Sequence, residues 1–217
     1  MFMPRILIFA NGRLPDIQKA LSLVKPGDFI ICADGGTRHV LDLGLDPALV
    51  IGDFDSLGRE ESEKAERAGA QIIRYPHDKN ETDLELALYH AIELEPSSII
   101  ILAALGNRLD QTLGNIALLS DSRMDKLEVR LDDGVEEAFL CRGQAEVSGN
   151  AGDIVSLIPW AGEVTNVRTE GLKWPLNNET LHPEKTRGIS NELIGTSAFI
   201  NLSSGLLLIV HTRGVNV

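Results

Sequence analysis

Val50-Ile51-Gly52-Asp53-Phe54-Asp55-Ser56 is an apolar run that ends abruptly in two carboxylates one residue apart. A strand of that composition is buried, and its last residues are where a parallel sheet presents polar groups to a ligand. Two carboxylates so close repel each other, and a divalent cation is the usual relief. Hard oxygen ligands suit Mg²⁺, which typically comes with substrate phosphates attached.

Outward from this turn, short apolar runs alternate with helical segments as far as Asp125. Arg5–Ala10, Asp28–Ala33, Leu49–Gly52, Gln71–Tyr75 and Ser98–Ala104 read as strands. Leu14–Val24, with Pro15 near its first turn, reads as a helix, and a short helix ends near Gly44, a natural stop. Arg59–Ala68 is a solvated helix, and Leu109–Leu119 is the last. Thr82–Leu94 has the clearest pattern: Thr82 and Glu85 form a capping box, and Leu84, Leu88, Ala91 and Ile92 share one face. Such alternation implies a parallel sheet covered on both faces. After Asp125 helical periodicity disappears. Leu127–Leu131, Glu137–Cys141, Asp153–Pro159, Glu163–Val167, Ala198–Leu202 and Gly205–His211 read as short strands separated by Gly and Asn turns. The expected fold is therefore α/β over residues 1–125, an αβα nucleotide-binding domain, followed by an all-β sandwich or roll over 126–217. Residues 177–189 read as a long, mobile loop.

The whole chain has 217 residues and a formal net charge of −12. Up to Asp125 there are 12 Lys/Arg against 20 Asp/Glu, and afterwards 8 against 12, so neither part is a basic module. That argues against nucleic acid and anionic membrane as main partners, but not against an anionic small molecule in a locally basic pocket. Cys32 and Cys141 lie in apolar segments and read as buried small hydrophobes. The start, Met1-Phe2-Met3-Pro4-Arg5, runs into a strand without the form of a signal peptide, and no apolar run reaches the roughly 20 residues of a membrane span. A cytoplasmic protein is expected.

Five consecutive strand ends bring acids, glycines and cations to one rim: Asn11-Gly12, Asp34-Gly35-Gly36, Asp53-Phe54-Asp55, Asp78-Lys79-Asn80-Glu81-Thr82-Asp83 and Gly106-Asn107-Arg108-Leu109-Asp110. Any one alone reads as a turn or a helix cap; five together point to a site. Asp53, Asp55 and Asp83 supply charge to hold Mg²⁺, while Lys79 and Arg108 are placed to meet phosphate oxygens. Asp34-Gly35-Gly36 opens a helix whose N–H groups can approach an anion without Cβ interference. Thr82 is a cap. G-x-x-x-x-G-K-[ST] and G-x-G-x-x-G are both missing, as is any Ser elbow or Cys–His pair. His39, His77, His90, His182 and His211 lack zinc spacing and read as structural or surface residues. Phosphoryl transfer by metal, cations and positioning, with no covalent intermediate, is the simpler assumption.

Ala33-Asp34-Gly35-Gly36, Gly52-Asp53-Phe54-Asp55-Ser56, Lys79-x-x-Thr82-Asp83, Gly106-x-Arg108-x-Asp110 and a late Ser190-Asn191 together resemble thiamine pyrophosphokinases over essentially the whole chain. The resemblance implies a homodimer of two-domain subunits that moves the diphosphate of ATP to the hydroxyl of thiamine and releases AMP. It further implies that Asp53, Asp55 and Asp83 hold Mg²⁺ and the triphosphate, with Lys79 and Arg108 steadying phosphates. Asn11, Asp34, Gly35, Gly36 and Thr82 would then lie along the nucleotide. Asp110 and Gln111 would line the substrate side, and Ser190 and Asn191 would come from the other subunit to hold thiamine. Acidic walls also suit a cationic thiazolium. Two departures stand out: Asn80 replaces an Asp common in the family, and Asn107 a Gly. Trp174 either stacks on a flat heterocycle or anchors a core or interface. Asp55, Asp83 and Asp110 are all open as general base. The competing readings are the same transfer to another acceptor, such as a hydroxymethylpterin, and a catalytically silent nucleotide- or thiamine-binding protein.

Overall fold

The computed structural model describes residues 3–106 and 108–214; the Met1-Phe2 start and Asn107 lie outside the described residues. The chain divides into two compact units after Gly134.

The first unit holds β1 (Arg5–Phe9), α1 (Ile17–Ser22), β2 (Phe29–Ala33), α2 (Gly36–Asp42), β3 (Leu49–Gly52), α3 (Arg59–Arg67), β4 (Gln71–Arg74), α4 (Asp83–Glu93), β5 (Ser98–Leu102), α5 (Leu109–Leu118) and β6 (Glu128–Asp132). Its strands pair in parallel in the order β6-β5-β1-β2-β3-β4. Both faces are dry along β1, β2 and β3, which is why these strands carry continuous Ile, Leu and Val. Leu7, Phe9, Cys32 and Val50 pack with Ala20 of α1, Val40 of α2 and Ala65 of α3. Ile6, Ile8, Ile31, Ile51, Ile99 and Ile101 are equally buried, and α4 packs on β1, β2 and β3 with Leu84, Leu88 and Ala91 inward. The chain runs from β1 out to β4, then returns to add β5 on the opposite side of β1. That reversal puts a ligand crevice beyond the carboxyl ends of β1 and β5.

Local chemistry sets the helix starts. Asp16 caps α1 by accepting from the Gln18 and Lys19 N–H groups, so the helix begins after Pro15 and is shorter than the periodicity predicts. Thr82 caps α4 by accepting from Glu85 N at 3.2 Å. The other half of the expected capping box is replaced, because the Glu85 carboxylate takes the Tyr89 hydroxyl.

The second unit contains β7 (Glu136–Cys141), β8 (Gln144–Ser148), β9 (Ile154–Pro159), β10 (Val164–Glu170), β11 (Asn177–Leu181), β12 (Asn191–Glu192), β13 (Ser197–Asn201) and β14 (Leu207–Thr212). Two antiparallel sets, β12-β9-β14-β7 and β11-β10-β13-β8, share one core. Val155, Leu157, Leu207 and Ile209 from the first set meet Val147, Val164, Val167, Ala198 and Ile200 from the second. Cys32 and Cys141 are buried free thiols, and burial pushes the Cys32 thiol up to about 12.

Two expectations are corrected. Leu127–Leu131 was expected to begin the antiparallel part, but its residues form β6, which pairs in parallel with β5. Its alternating burial mimics an antiparallel strand because it lies at one side of the parallel set. Residues 177–189 are not one long loop. Asn177–Leu181 is a strand at the end of its set, paired with β10, and Arg187 returns to grip Glu179 through two 2.9 Å bonds. Its polar composition hid it, because only Leu181 is buried there.

Candidate active site

All five strand ends open on one cavity of about 520 Å³ in the first unit. Asn11 and Gly12 line it after β1, Asp34 after β2, Ser56 after β3, Lys79, Thr82 and Asp83 before and at the start of α4, and Arg108 and Gln111 after β5. Ala10, Ala33, Ala103 and Ala104 supply apolar wall. Asp34 and Phe54 adopt left-handed backbone, at φ +43° and +65°, which turns the chain sharply as it leaves the sheet. Gly36 has a packing reason beyond any ligand: a Cβ there would meet Phe9 O at 2.0 Å. Gly35 presses on the Asn11 amide, where a Cβ would come within 2.5 Å.

Three carboxylates and one ammonium form the charged heart of the site. Lys79 Nζ lies 3.3 Å from Asp53 Oδ2 and 3.1 Å from Asp83 Oδ1. Asp34, Asp53 and Asp83 each offer an oxygen, all within 4.8 Å of one another. Asp34 is 3% exposed, and its buried Oδ1 has no hydrogen bond. Asp83 Oδ1 is also buried, and its contact with Lys79 is an ion pair without hydrogen-bond geometry. Burial raises the pKa of Asp34 and Asp83; at Asp34 the neighbouring Asp83 and Asp53 charges add to it, and at Asp83 burial outweighs Lys79. At Asp53 burial works the same way but is overcome by the Asp55 N–H, His77 and Lys79, which hold it down to about 2. Lys79 stays charged: burial opposes its charge, and Asp83 and Asp53 more than offset that. Clustered carboxylates with buried oxygens left unbonded fit a hard divalent cation.

The expected trio Asp53, Asp55 and Asp83 does not sit as one set. Asp53 belongs to two: Asp34-Asp53-Asp83, and Asp53-Asp55-His77. Asp55 is exposed, accepts from Ser56 Oγ at 2.9 Å and faces His77 Nδ1 at 3.6 Å. His77, read from sequence as structural or surface, lies with its Nδ1 2.8 Å from Asp53 Oδ2. No sequence signal marked it, since the β4–α4 loop has to fold back across β3 to make the contact. Arg108 and Asp110 grip each other at 3.2 and 2.5 Å and are both exposed.

Ser190 and Asn191 lie in the second unit. Ser190 is exposed at φ +55° and its N–H donates to Ser156 Oγ. Asn191 is buried, and its amide is engaged within the chain: Oδ1 accepts from the Trp174 and Glu192 N–H groups, and Nδ2 donates to Trp174 O at 2.7 Å. The Trp174 ring stays about half exposed, with Lys173 Nζ 4.9 Å from its centroid.

Residues 20–131 match the family model for thiamin pyrophosphokinase, catalytic domain, and 144–207 match that for thiamin pyrophosphokinase, vitamin B1 binding domain. The chain is 33% identical to the thiamine pyrophosphokinase of Bacillus subtilis over 84% of its own length and 86% of that protein. It is 26% identical to thiamine pyrophosphokinase 1 of rice, over 95% and 87%. The crystal structure of the Bacillus subtilis enzyme superposes with a TM-score of 0.87 at 30% identity, covering 97% of this chain and all of that one.

Proposed function

The chain belongs to the thiamin pyrophosphokinase family, and we propose that the first-unit cavity binds ATP with Mg²⁺ through the residues at its rim. The protein is an ATP-dependent diphosphotransferase: it moves the β,γ-diphosphate of ATP to the hydroxyl of thiamine, giving thiamine diphosphate and AMP. The observation that carries the residue assignment is the Asp34-Asp53-Asp83 set, buried at Asp34 and half-buried at the other two, with Lys79 between two of its members.

In the reaction the thiamine oxygen bonds to Pβ, the bond from Pβ to the α–β bridging oxygen breaks so that this oxygen leaves with AMP, and the hydroxyl proton passes to water. Asp34, Asp53 and Asp83, with Asp55 beside them, would hold Mg²⁺. When bound, that ion neutralises phosphate charge and polarises the bond that breaks. Lys79 is charged and close enough to the carboxylates to exchange one of them for a phosphate oxygen. Arg108, released from Asp110, supplies a fork suited to the same anion. Asn11, Gly35, Gly36 and Thr82 border the nucleotide, while Gln111 and Asp110 lie toward the acceptor. A loose transition state asks little of a base, so positioning and charge supply most of the acceleration.

Ser190 and Asn191 would serve thiamine. The support for Asn191 is indirect: its amide fixes the main chain at Trp174 and so presents a half-exposed ring. A homodimer accords with Leu109 and Leu113, four residues apart on α5 and both exposed. The test is purified protein with ATP, Mg²⁺ and either thiamine or a hydroxymethylpterin, scored by mass spectrometry. Thiamine diphosphate with AMP is expected. AMP with the pterin and none with thiamine would overturn the acceptor, and no AMP with either would favour a silent binder.

A further inference from the structure

The cavity of the first unit is divided by charge. Asp34, Asp53, Asp83 and Lys79 gather on the side of β2, β3 and α4. At the ends of β1 and β5 the wall is neutral: Ala10, Ala103 and Ala104, with Asn115 of α5 beside them. Asn115 is half-buried, and its Nδ2 donates to Ala104 O at 2.8 Å. A carbonyl only accepts, so this bond fixes which way the amide stands, with Nδ2 on the main chain and Oδ1 turned from it. Oδ1 makes no hydrogen bond among the described residues.

We propose that Asn115 is a specificity-determining residue whose Oδ1 accepts from the exocyclic amino group of an aminopyrimidine-type ring lying against the alanine wall. Both substrates of the proposed reaction carry such a group, at position 6 of adenine and position 4 of the thiamine pyrimidine. The inference rests on the reading of this cavity as the ATP site and adds which heterocycle edge the cavity selects.

The turn after β5 explains why Asn115 is held so firmly. Ala103 leaves the sheet at φ +55°, so the next carbonyl, Ala104 O, lies beyond the strand and takes a side-chain partner instead of a ladder bond. Ala103 O is already engaged by the Gly12 N–H at 2.8 Å. Polyphosphate belongs on the charged side, where Lys79 meets it, and a flat neutral ring belongs where side chains end at Cβ and leave room. A ring covering Asn115 takes water from Oδ1, and an unpaired acceptor there is costly. An amino substituent replaces the lost bond, whereas an oxo substituent sets acceptor against acceptor. The amide cannot turn over to offer Nδ2, because Oδ1 would then face Ala104 O. The bond to the main chain therefore makes the choice rigid, which is how a polar site rejects an analogue lacking the matching group.

The experiment is calorimetric titration of the full-length protein in Mg²⁺ with two matched pairs: ATP against inosine triphosphate, and thiamine against its 4-oxo analogue. Wild-type protein should prefer the amino member by on the order of 10-fold or more in at least one pair. In Asn115→Ala that preference should disappear, and the pair in which it does so identifies the ring. Asn115→Asp loses the bond to Ala104 O but keeps an acceptor, so it should retain the preference. A role confined to holding the turn would weaken both members of a pair alike and leave their ratio unmoved. The inference is overturned if wild type shows no amino preference in either pair, if Asn115→Ala keeps the wild-type ratios, or if Asn115→Asp behaves as Asn115→Ala does. Formation of thiamine diphosphate and AMP, measured separately on wild type, tests the proposed function, so either reading can fail while the other stands.

Discussion

Gly36→Ala should destabilise the protein although alanine is the better helix former. Gly36 opens α2 with a backbone that any residue can adopt, so conformational entropy alone would favour Ala by ~0.5–1 kcal/mol. Packing reverses that sign. The new Cβ would meet Phe9 O at 2.0 Å, Phe9 C at 2.6 Å and Ala10 O at 3.0 Å, all of them backbone atoms of β1 or its end. Ordinary contact begins near 3.4 Å, so α2 must retreat by ~1.4 Å. That retreat strains the turn held by Asp34 N on Ile51 O at 2.7 Å and by the Thr37 hydroxyl on Asp34 O at 2.7 Å. Overpacking against rigid neighbours costs ~1–3 kcal/mol and a weakened hydrogen bond ~1 more, which against the entropic gain leaves a net loss of about 2 kcal/mol. At this chain length that corresponds to a melting temperature lower by roughly 4–8 °C. ATP affinity should fall with it, because Asn11 and Asp34 sit on the two elements being forced apart. Gly114→Ala, inside α5 where a Cβ meets nothing within 4 Å, is the control, and it should gain ~0.5–1 kcal/mol. Urea unfolding and calorimetric ATP titration measure both. Equal stability of Gly36→Ala and wild type, or a shift of the same sign in both variants, would refute the packing argument.

Asp53→Asn removes the residue common to both donor sets, and turnover should fall by on the order of 10²-fold or more, as loss of a key electrostatic group does; near-normal rates at saturating ATP and Mg²⁺ would remove Asp53 from the metal assignment. Asp153 is buried, which would raise its pKa, yet the Gly214 and Asn150 N–H groups and His211 hold it below its ordinary value of 3.8. A depressed carboxylate stabilises the fold above its unfolded pKa and loses that contribution as pH falls through the folded one. Asp153→Asn should therefore unfold at lower urea than wild type near neutrality, and the gap should close as pH drops below 3.8; a gap that widens in acid would contradict this. Asn191→Ala leaves the Trp174 N–H and carbonyl without their partner, so it should cost ~1–3 kcal/mol and raise KM for thiamine more than KM for ATP. An unchanged KM for thiamine would detach Asn191 from the acceptor.

Sequence alone determined the parallel sheet, because strands buried on both faces need unbroken apolar runs such as Ile6-Leu7-Ile8 and Leu49-Val50-Ile51. It also determined the rim: polar residues at five strand ends cannot be core, and a parallel sheet collects its carboxyl ends on one side. The helix caps at Asp16 and Thr82 were likewise local matters, though only the second was read correctly from the chain. Three-dimensional packing decided what no spacing encodes. Strand β6 is parallel because it pairs with β5, and β11 is a strand because β10 supplies hydrogen bonds that its own polar residues do not announce. Within the site, type and spacing marked Asp53, Asp55 and Asp83, but distance regrouped them. Asp34, 19 residues before Asp53, joins the carboxylate set, and His77, 24 residues after it, reaches its oxygen. Sequence carries residue type and local periodicity, whereas the distance between two side chains on different strands depends on register and on loops that fold back, so which of these side chains come together was decided only by the tertiary structure.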